Sequence, residues 1–363
     1  MMKRGLVLLV LLSVLAGAAF AQAPPPSVVI RLGQPLEIGR ADLLFASIVS
    51  VCEDDGQNFY ALDREEQAVF KFSRDGRLLL KFGRKGQGPG DFQSPGQIAF
   101  TSAGELAVLE DVGSVSFHGT DGRFLHRLDL NGRLGLGFVG PDRYYGWDRR
   151  SGDRQQLLVD SKNTVLATFH VIPGDLFSTA MPDETGRLVM FSYVHEACTP
   201  QFLFAHGAGL SAVGISDRYE IALLDEQGRT VATLSRDVKP GKVAAREREF
   251  LEREFGDFVK SKNWPERVVR ELRKKIPAFK SVLSAIRISP KNVFVFRVPP
   301  DITLDPPRYP VDVFTREGAF LGTGELSEAP LFVSEQAMYF SRTNSDGNVY
   351  LVRQSYSLKR LGV

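Results

Sequence analysis

Val69-Phe70-Lys71-Phe72-Ser73 runs into the turn Arg74-Asp75-Gly76, and Arg77-Leu78-Leu79-Leu80-Lys81-Phe82 follows. Two apolar runs separated by Asp-Gly read as antiparallel strands joined by a tight turn. The same statement recurs along the chain. Val115 to His118, Asp121-Gly122 and Arg123 to Leu130 form a second copy, and Gln156 to Val159, Lys162-Asn163 and Thr164 to His170 a third. Ile221 to Leu224, Gln227-Gly228 and Arg229 to Leu234 form a fourth, and Val311 to Phe314, Glu317-Gly318 and Ala319 to Leu326 a fifth. A sixth and looser copy is Val349 to Val352, Gln354-Ser355 and Tyr356 to Leu361. Repetition at this scale predicts an architecture made of stacked units.

Each hairpin is preceded by two more strand-like runs. They are Phe45 to Val51 with Phe59 to Leu62, Gln97 to Phe100 with Glu105 to Leu109, and Gly135 to Val139 with Arg143 to Trp147. Then come Phe177 to Met181 with Arg187 to Val194, Val282 to Ile288 with Asn292 to Val298, and Leu331 to Val333 with Ala337 to Ser341. Four antiparallel strands at a period of about 40 to 45 residues predict the blades of a β-propeller. The expected fold is all-β: a six-bladed β-propeller of four-stranded antiparallel blades. The run Val28 to Leu32 is left over and is expected to join the last blade as an added outer strand. Whether it or Tyr356 to Leu361 finishes that blade stays open.

Residues 242–276 are the one clear helical stretch. Leu251, Phe255, Phe258 and Val259 recur at helical spacing, as do Val268, Val269, Leu272 and Ile276. Pro265 fits a first helical turn and Pro277 a position just past an end. A helical hairpin over about 242–277 is therefore expected between blades four and five. Its run Arg267, Arg270, Arg273, Lys274 and Lys275 suits an anionic partner or a plain solvated face.

The chain begins as a secretory signal: Lys3-Arg4, the apolar stretch Leu6 to Leu15, and the small-residue site Ala19-Phe20-Ala21. Residues 1–21 are expected to be removed by cutting before Gln22, leaving 22–363 as one propeller domain in a periplasmic or extracellular compartment. No later run reaches the ~18 apolar residues of a membrane-spanning helix. Lys plus Arg is 45 and Asp plus Glu is 43, a balance that excludes the basic surplus of a nucleic-acid binder. Cys52 and Cys198 would meet an oxidising compartment. The layout sets them in opposite halves of the molecule, which favours free thiols over a disulfide.

The segment Lys81-Phe82-Gly83-Arg84-Lys85-Gly86-Gln87-Gly88-Pro89-Gly90-Asp91-Phe92 resembles the Phe-Gly-x-x-Gly-x-Gly-x-Gly-x-Phe blade connection of NHL-repeat propellers. The mature chain is similar to bacterial exported six-bladed propellers of that superfamily. The glycines themselves ask only for turn geometry. No Gly-Lys-Ser/Thr and no Gly-x-Gly-x-x-Gly leads a strand into a helix, so phosphate binding is not indicated. Related propellers include lyases that use metal-bound His, Tyr and Arg around the central channel. Their motifs do not carry over, because the blade-start strands here lack the repeated His.

In such a ring the turns between second and third strands and the links between blades share one face. The longest excursions fall there: 83–92, His195 to Asp217, Val238 to Phe279, and the Pro-rich loop Pro299 to Pro310. That face is the expected working face. Tyr144, Tyr145, Trp147, Arg149 and Arg150 form the one dense aromatic-and-Arg group, suited to sugar or peptide contacts or to packing between blades. With Arg270 and Arg273 they are the candidate binding residues. His195, Glu196, Cys198 and His206 bring metal-ligand types together without zinc-motif spacing. Asp301 and Asp305 are two acids of one loop. No Gly-x-Ser-x-Gly elbow occurs, which weighs against an enzyme. The expected function is an exported binding module for a protein, peptide or glycan, with no cofactor. The alternative is a metal-dependent lyase or hydrolase holding a divalent metal on His195, Glu196 and His206.

Overall fold

The computed structural model describes residues 26–39, 43–139, 142–148, 153–173, 178–182, 188–192, 195, 197–262 and 264–361. The expected signal segment 1–21 lies outside them. After β1 (Ser27–Ile38), one sheet holds β2 (Ile48–Glu53), β3 (Phe59–Asp63), β4 (Ala68–Phe72) and β5 (Leu78–Phe82). The next holds β6 (Pro95–Phe100), β7 (Leu106–Glu110), β8 (Ser114–His118) and β9 (Phe124–Asp129). A third holds β10 (Leu134–Val139), β11 (Arg143–Asp148), β12 (Arg154–Asp160) and β13 (Val165–Ile172). A hairpin of β14 (Ser178–Pro182) and β15 (Leu188–Ser192) stands alone. The fourth sheet holds β16 (Phe202–Gly207), β17 (Leu210–Ile215), β18 (Glu220–Leu224) and β19 (Thr230–Ser235). Helices α1 (Ala245–Lys262) and α2 (Glu266–Arg273) follow.

The remaining strands are β20 (Leu283–Ile288), β21 (Asn292–Arg297), β22 (Tyr309–Thr315), β23 (Phe320–Leu326), β24 (Phe332–Val333), β25 (Ala337–Thr343) and β26 (Val349–Leu361). With β1 they make one eight-stranded sheet in the order β20-β21-β22-β23-β1-β26-β25-β24. Its two halves meet at a parallel pairing of β1 with β23, at Ser27 opposite Thr323.

Burial explains why these strands stack as a propeller. Every residue of β3 and of β7 is buried, so each strand is covered on both faces. A lone sheet on solvent would bury alternate residues only. The outermost strands do face water, as the largely exposed β5 shows. Apolar layers fill the gaps between successive sheets: Tyr60, Leu62, Ile98 and Val108 in one, Leu109, Val115, Tyr144 and Val159 in the next. Burying each such side chain contributes about 1.5–3 kcal/mol. The innermost strands neighbour one another in turn: β2 with β6, β6 with β10, β10 with β16, β16 with β20, β20 with β24, and β24 with β2.

Three expectations change. Four blades stand as separate four-stranded sheets, where six were expected, because the last strands share hydrogen bonds through β1. The fourth blade begins with β16 and β17, not with Phe177 to Met181 and Arg187 to Val194. Those runs supply the detached β14–β15 hairpin, and much of the expected 195–217 insertion is blade. The sixth hairpin is one unbroken strand, β26, with no turn at Gln354-Ser355. β1 pairs along it from Ser27–Leu361 to Ile38–Leu351 and supplies the outer strand. Cys52 and Cys198 are free and buried in separate clusters.

The helical insertion is as expected in kind. Leu251, Phe255 and Val259 bury one face of α1, and the N-terminus is capped where the Glu247 carboxylate accepts the Ala244 N–H at 2.9 Å. Pro265 opens α2, whose Val268 packs with Phe255 and Val259.

The β1–β23 junction requires glycine. A Cβ on Gly324 would sit 2.7 Å from the Val28 carbonyl oxygen, and one on Gly322, at φ +147°, 2.8 Å from that of Pro26. Both obstacles are backbone and cannot rotate away. Gly324→Val should therefore cost about 1–3 kcal/mol in urea unfolding. Gly256→Ala should gain about 0.5–1 kcal/mol, since a Cβ there meets nothing within 4 Å in the middle of α1. Equal unfolding midpoints for the two variants would refute this account of the junction.

Candidate functional site

The first strand of each four-strand set lines an axial cavity of about 360 Å3. Ser50 to Glu53, Gln97 to Phe100, Gly137, Phe204 to Gly207, Ile286 to Ile288, and Phe332-Val333 form its wall. The turns after these strands, with Asp55, Ser102 and Gly209, stand at one mouth together with Glu226 of the β18–β19 turn. At that mouth Glu53 accepts a hydrogen bond from the Tyr339 hydroxyl, which accepts one from Arg353 Nε at 2.9 Å. Burial pushes the Glu53 carboxyl above its ordinary range, against the opposing pull of Tyr339, Ser334 and Arg353.

A second, wider cleft of about 740 Å3 opens on the loop-bearing face, between the β20–β23 half and the β24–β26 half of the large sheet. Ser284, Tyr309, Glu328, Arg342 and Tyr350 are among its walls. Arg342 is committed, its Nε lying 2.7 Å from Glu328 Oε1. Arg287 of β20 belongs to both cavities. Its Nε donates to the Pro330 carbonyl at 2.6 Å and its Nη1 to the Ile286 carbonyl at 2.8 Å. Burial alone lowers its pKa to about 10, so it stays charged at neutral pH.

Beside the cleft, the insertion is bolted to the Pro-rich loop by a buried ion pair. Lys280 Nζ lies 2.5 Å from Glu247 Oε1 and 2.5 Å from the Pro300 carbonyl, and Glu247 also accepts the Ile302 N–H at 3.2 Å. Two chain segments meet at its neck, where Lys280 N–H donates to the Gly241 carbonyl at 2.7 Å.

Among the described residues, the expected site residues are spread over several parts of the fold. Tyr144 and Tyr145 are 0% exposed, on opposite faces of β11, each packed in a different inter-sheet layer. These two are packing residues, because a strand between two sheets buries both of its faces. Trp147 is half-buried at the end of β11, and Arg149 and Arg150 lie outside the described residues. Arg270 and Arg273 are exposed on α2. His206 lines the axial cavity, with Nδ1 2.9 Å from the Ser211 hydroxyl. His195 sits in a turn, its Nδ1 accepting the Ala197 N–H at 3.2 Å, and Glu196 lies outside the described residues. Among the described residues no three His, Cys, Asp or Glu side chains are grouped to hold a metal. Asp301 binds the Thr303 backbone and hydroxyl as a turn residue. Arg287 and the cleft were not found from sequence: a single Arg between two isoleucines in a strand carries no motif.

No protein-family model matches the chain, and no curated protein matches it. Solved structures do. A Bacteroides fragilis protein described as exported is 10% identical, with 91% of this chain and 96% of that one covered, at a TM-score of 0.54. A DUF4221 family member from Bacteroides vulgatus is also 10% identical, with 92% and 99% covered, at 0.51. A virginiamycin B lyase from Staphylococcus aureus is 9% identical at a TM-score of 0.44, with 90% and 99% covered. The first two share the propeller-like fold, and the likeness extends to fold alone.

Burial, with the nearby Arg316 charge, lowers the His206 pKa to about 4. Its unfolded value is ordinary, so below about pH 6.5 the unfolded chain takes up a proton that the folded chain refuses. Stability conferred by neutral His206 is complete above that pH and falls as pH drops toward 4. His118 and His170 are shifted the same way. Between pH 7 and 5, His206→Asn should lose about 2 kcal/mol less stability than the parent, as read by urea midpoints. Identical losses would show that His206 is not held neutral.

Proposed function

We propose that the chain is an exported binding module, a six-bladed propeller of the NHL-like kind that holds a protein, peptide or glycan on its loop- and helix-bearing face. The blade count follows if the eight-stranded sheet is two blades. Phe294, Phe296 and Val311 of one half pack face to face on Met338, Phe340 and Val352 of the other, as stacked blades do. Export is supported by the pattern of residues 1–21 and by the description borne by the Bacteroides fragilis neighbour. On this reading residues 22–363 are one domain.

One observation carries the binding role: a helical hairpin fixed over the Pro-rich loop by the Lys280–Glu247 pair, beside an open cleft on the same face. Burying an ion pair costs several kcal/mol of desolvation per ion and rarely repays it in stability. A rigid support for a recognition surface is a reason to keep one. The exposed Arg270 and Arg273 extend that surface outward.

The neck gives a clean test. Excising 243–278 joins Lys242 to Phe279, which already pair across the neck, and Lys280→Met removes the charge left unpartnered. On arrays of glycans and peptides, the parent starting at Gln22 should give specific signals that fall at least tenfold in the excised chain, with its melt retained. Undiminished signals would remove the insertion from the binding surface, and a parent silent on every array would sink the binding role.

A further inference from the structure

Several half-buried and buried cations of this fold are paired with acids. Arg236 and Arg297 face Asp312, Lys280 faces Glu247, and Arg342 faces Glu328. Arg287 differs. It lies where the axial cavity and the loop-face cleft meet, and among the described residues it makes no ion pair. Two backbone carbonyls hold the guanidinium in place through Nε and Nη1. A guanidinium carries five N–H donors in a planar fork, so the edge between Nη1 and Nη2 remains for a ligand. A fixed, deep, positively charged fork without a counterion is built to accept a carboxylate by paired hydrogen bonds.

We propose that Arg287 anchors the carboxylate of an acidic sugar, a uronate, seated in the loop-face cleft. This rests on the binding-module reading and narrows its ligand. The cleft, at about 740 Å3, is in the range of small-ligand sites and holds more than one sugar ring. Its walls combine the ring surfaces of half-buried Tyr309 and Tyr350 with the hydroxyls of Ser284 and Thr343, a lining matched to a hydroxyl-rich ring. Glu328 is already bound to Arg342, which leaves one net positive group for one ligand carboxylate.

The test is isothermal titration calorimetry on the protein starting at Gln22, with digalacturonate, its neutral methyl ester, and triglycine as probes. Digalacturonate should bind at least tenfold more tightly than the ester, and Arg287→Gln should erase that preference while Arg64→Gln, a surface change, leaves it intact. Should Arg287→Gln fail to fold, for loss of its Pro330 contact, the acid-to-ester ratio of the parent decides alone. Equal binding of acid and ester overturns the anchor, as does an unchanged ratio in Arg287→Gln. Binding of triglycine with digalacturonate silent overturns the sugar class. Silence of all three probes overturns the proposal too, and insertion-dependent array signals would then still uphold the binding module.

Discussion

An unclosed propeller would present a row of unpaired N–H and C=O groups along its last strand, an invitation to edge-to-edge association. Here β1 fills that edge. It runs antiparallel to β26 over nearly its whole length and touches β23 at its start. Its side chains serve two layers at once: Val28 and Ile30 pack in the layer between the halves of the large sheet, and Leu36 and Ile38 in the layer against β2–β5. Closure therefore couples the first described residues to the last. Because each blade buries its faces only against neighbours, losing the seam strips cover from both adjoining layers. Contacts this distant in sequence also pay loop-closure entropy before they repay it, so the seam should form late in folding.

Closure explains what sequence could and could not reveal. Asp-Gly and Gln-Gly turns mark hairpins because a left-handed residue is needed there, and Gly76, Gly122, Gly228 and Gly318 all have positive φ. Local chemistry thus writes the third and fourth strands plainly. The sixth copy failed on the same ground, since neither Gln354 nor Ser355 adopts such a conformation and the strand runs on. The first two strands of the fourth blade failed differently. Two successive hairpins, β14–β15 and β16–β17, both carry strand-like patterns, and nothing local says which one stacks in the ring. That choice belongs to packing: β17 is buried throughout, between the layers holding Leu210 and Val213.

The site was less legible than the fold, for a related reason. Tyr144 and Tyr145 drew attention as adjacent aromatics, yet adjacency is what a doubly covered strand produces. The reverse holds for Arg287. Its neighbours Ile286 and Ile288 are buried and apolar, and a charge between them reads as an ordinary outward strand position. Both isoleucines belong to the layer shared with the β16–β19 blade, so Arg287 takes the other face of β20, toward the β24–β26 half, where it reaches the Pro330 carbonyl. Only the ring sets that face beside a cleft, and so converts a commonplace Arg into a fixed charge in its wall.

The balance of charges follows from the same geometry. Asp312, fully buried, gathers Tyr219, Thr323, Arg236 and Arg297, drawing groups from two neighbouring sheets onto one carboxylate. Such a cluster is costly to desolvate but strongly penalises any blade out of register, because one missing partner leaves a buried charge exposed to no solvent. Glu247 and Lys280 do the same for the insertion. Arg287 is spared this use: its partners are neutral carbonyls, which orient the guanidinium without cancelling its charge. In a scaffold that spends several of its buried ions on alignment, a cation positioned by carbonyls, with no ion pair among the described residues, keeps its electrostatic energy available to a ligand.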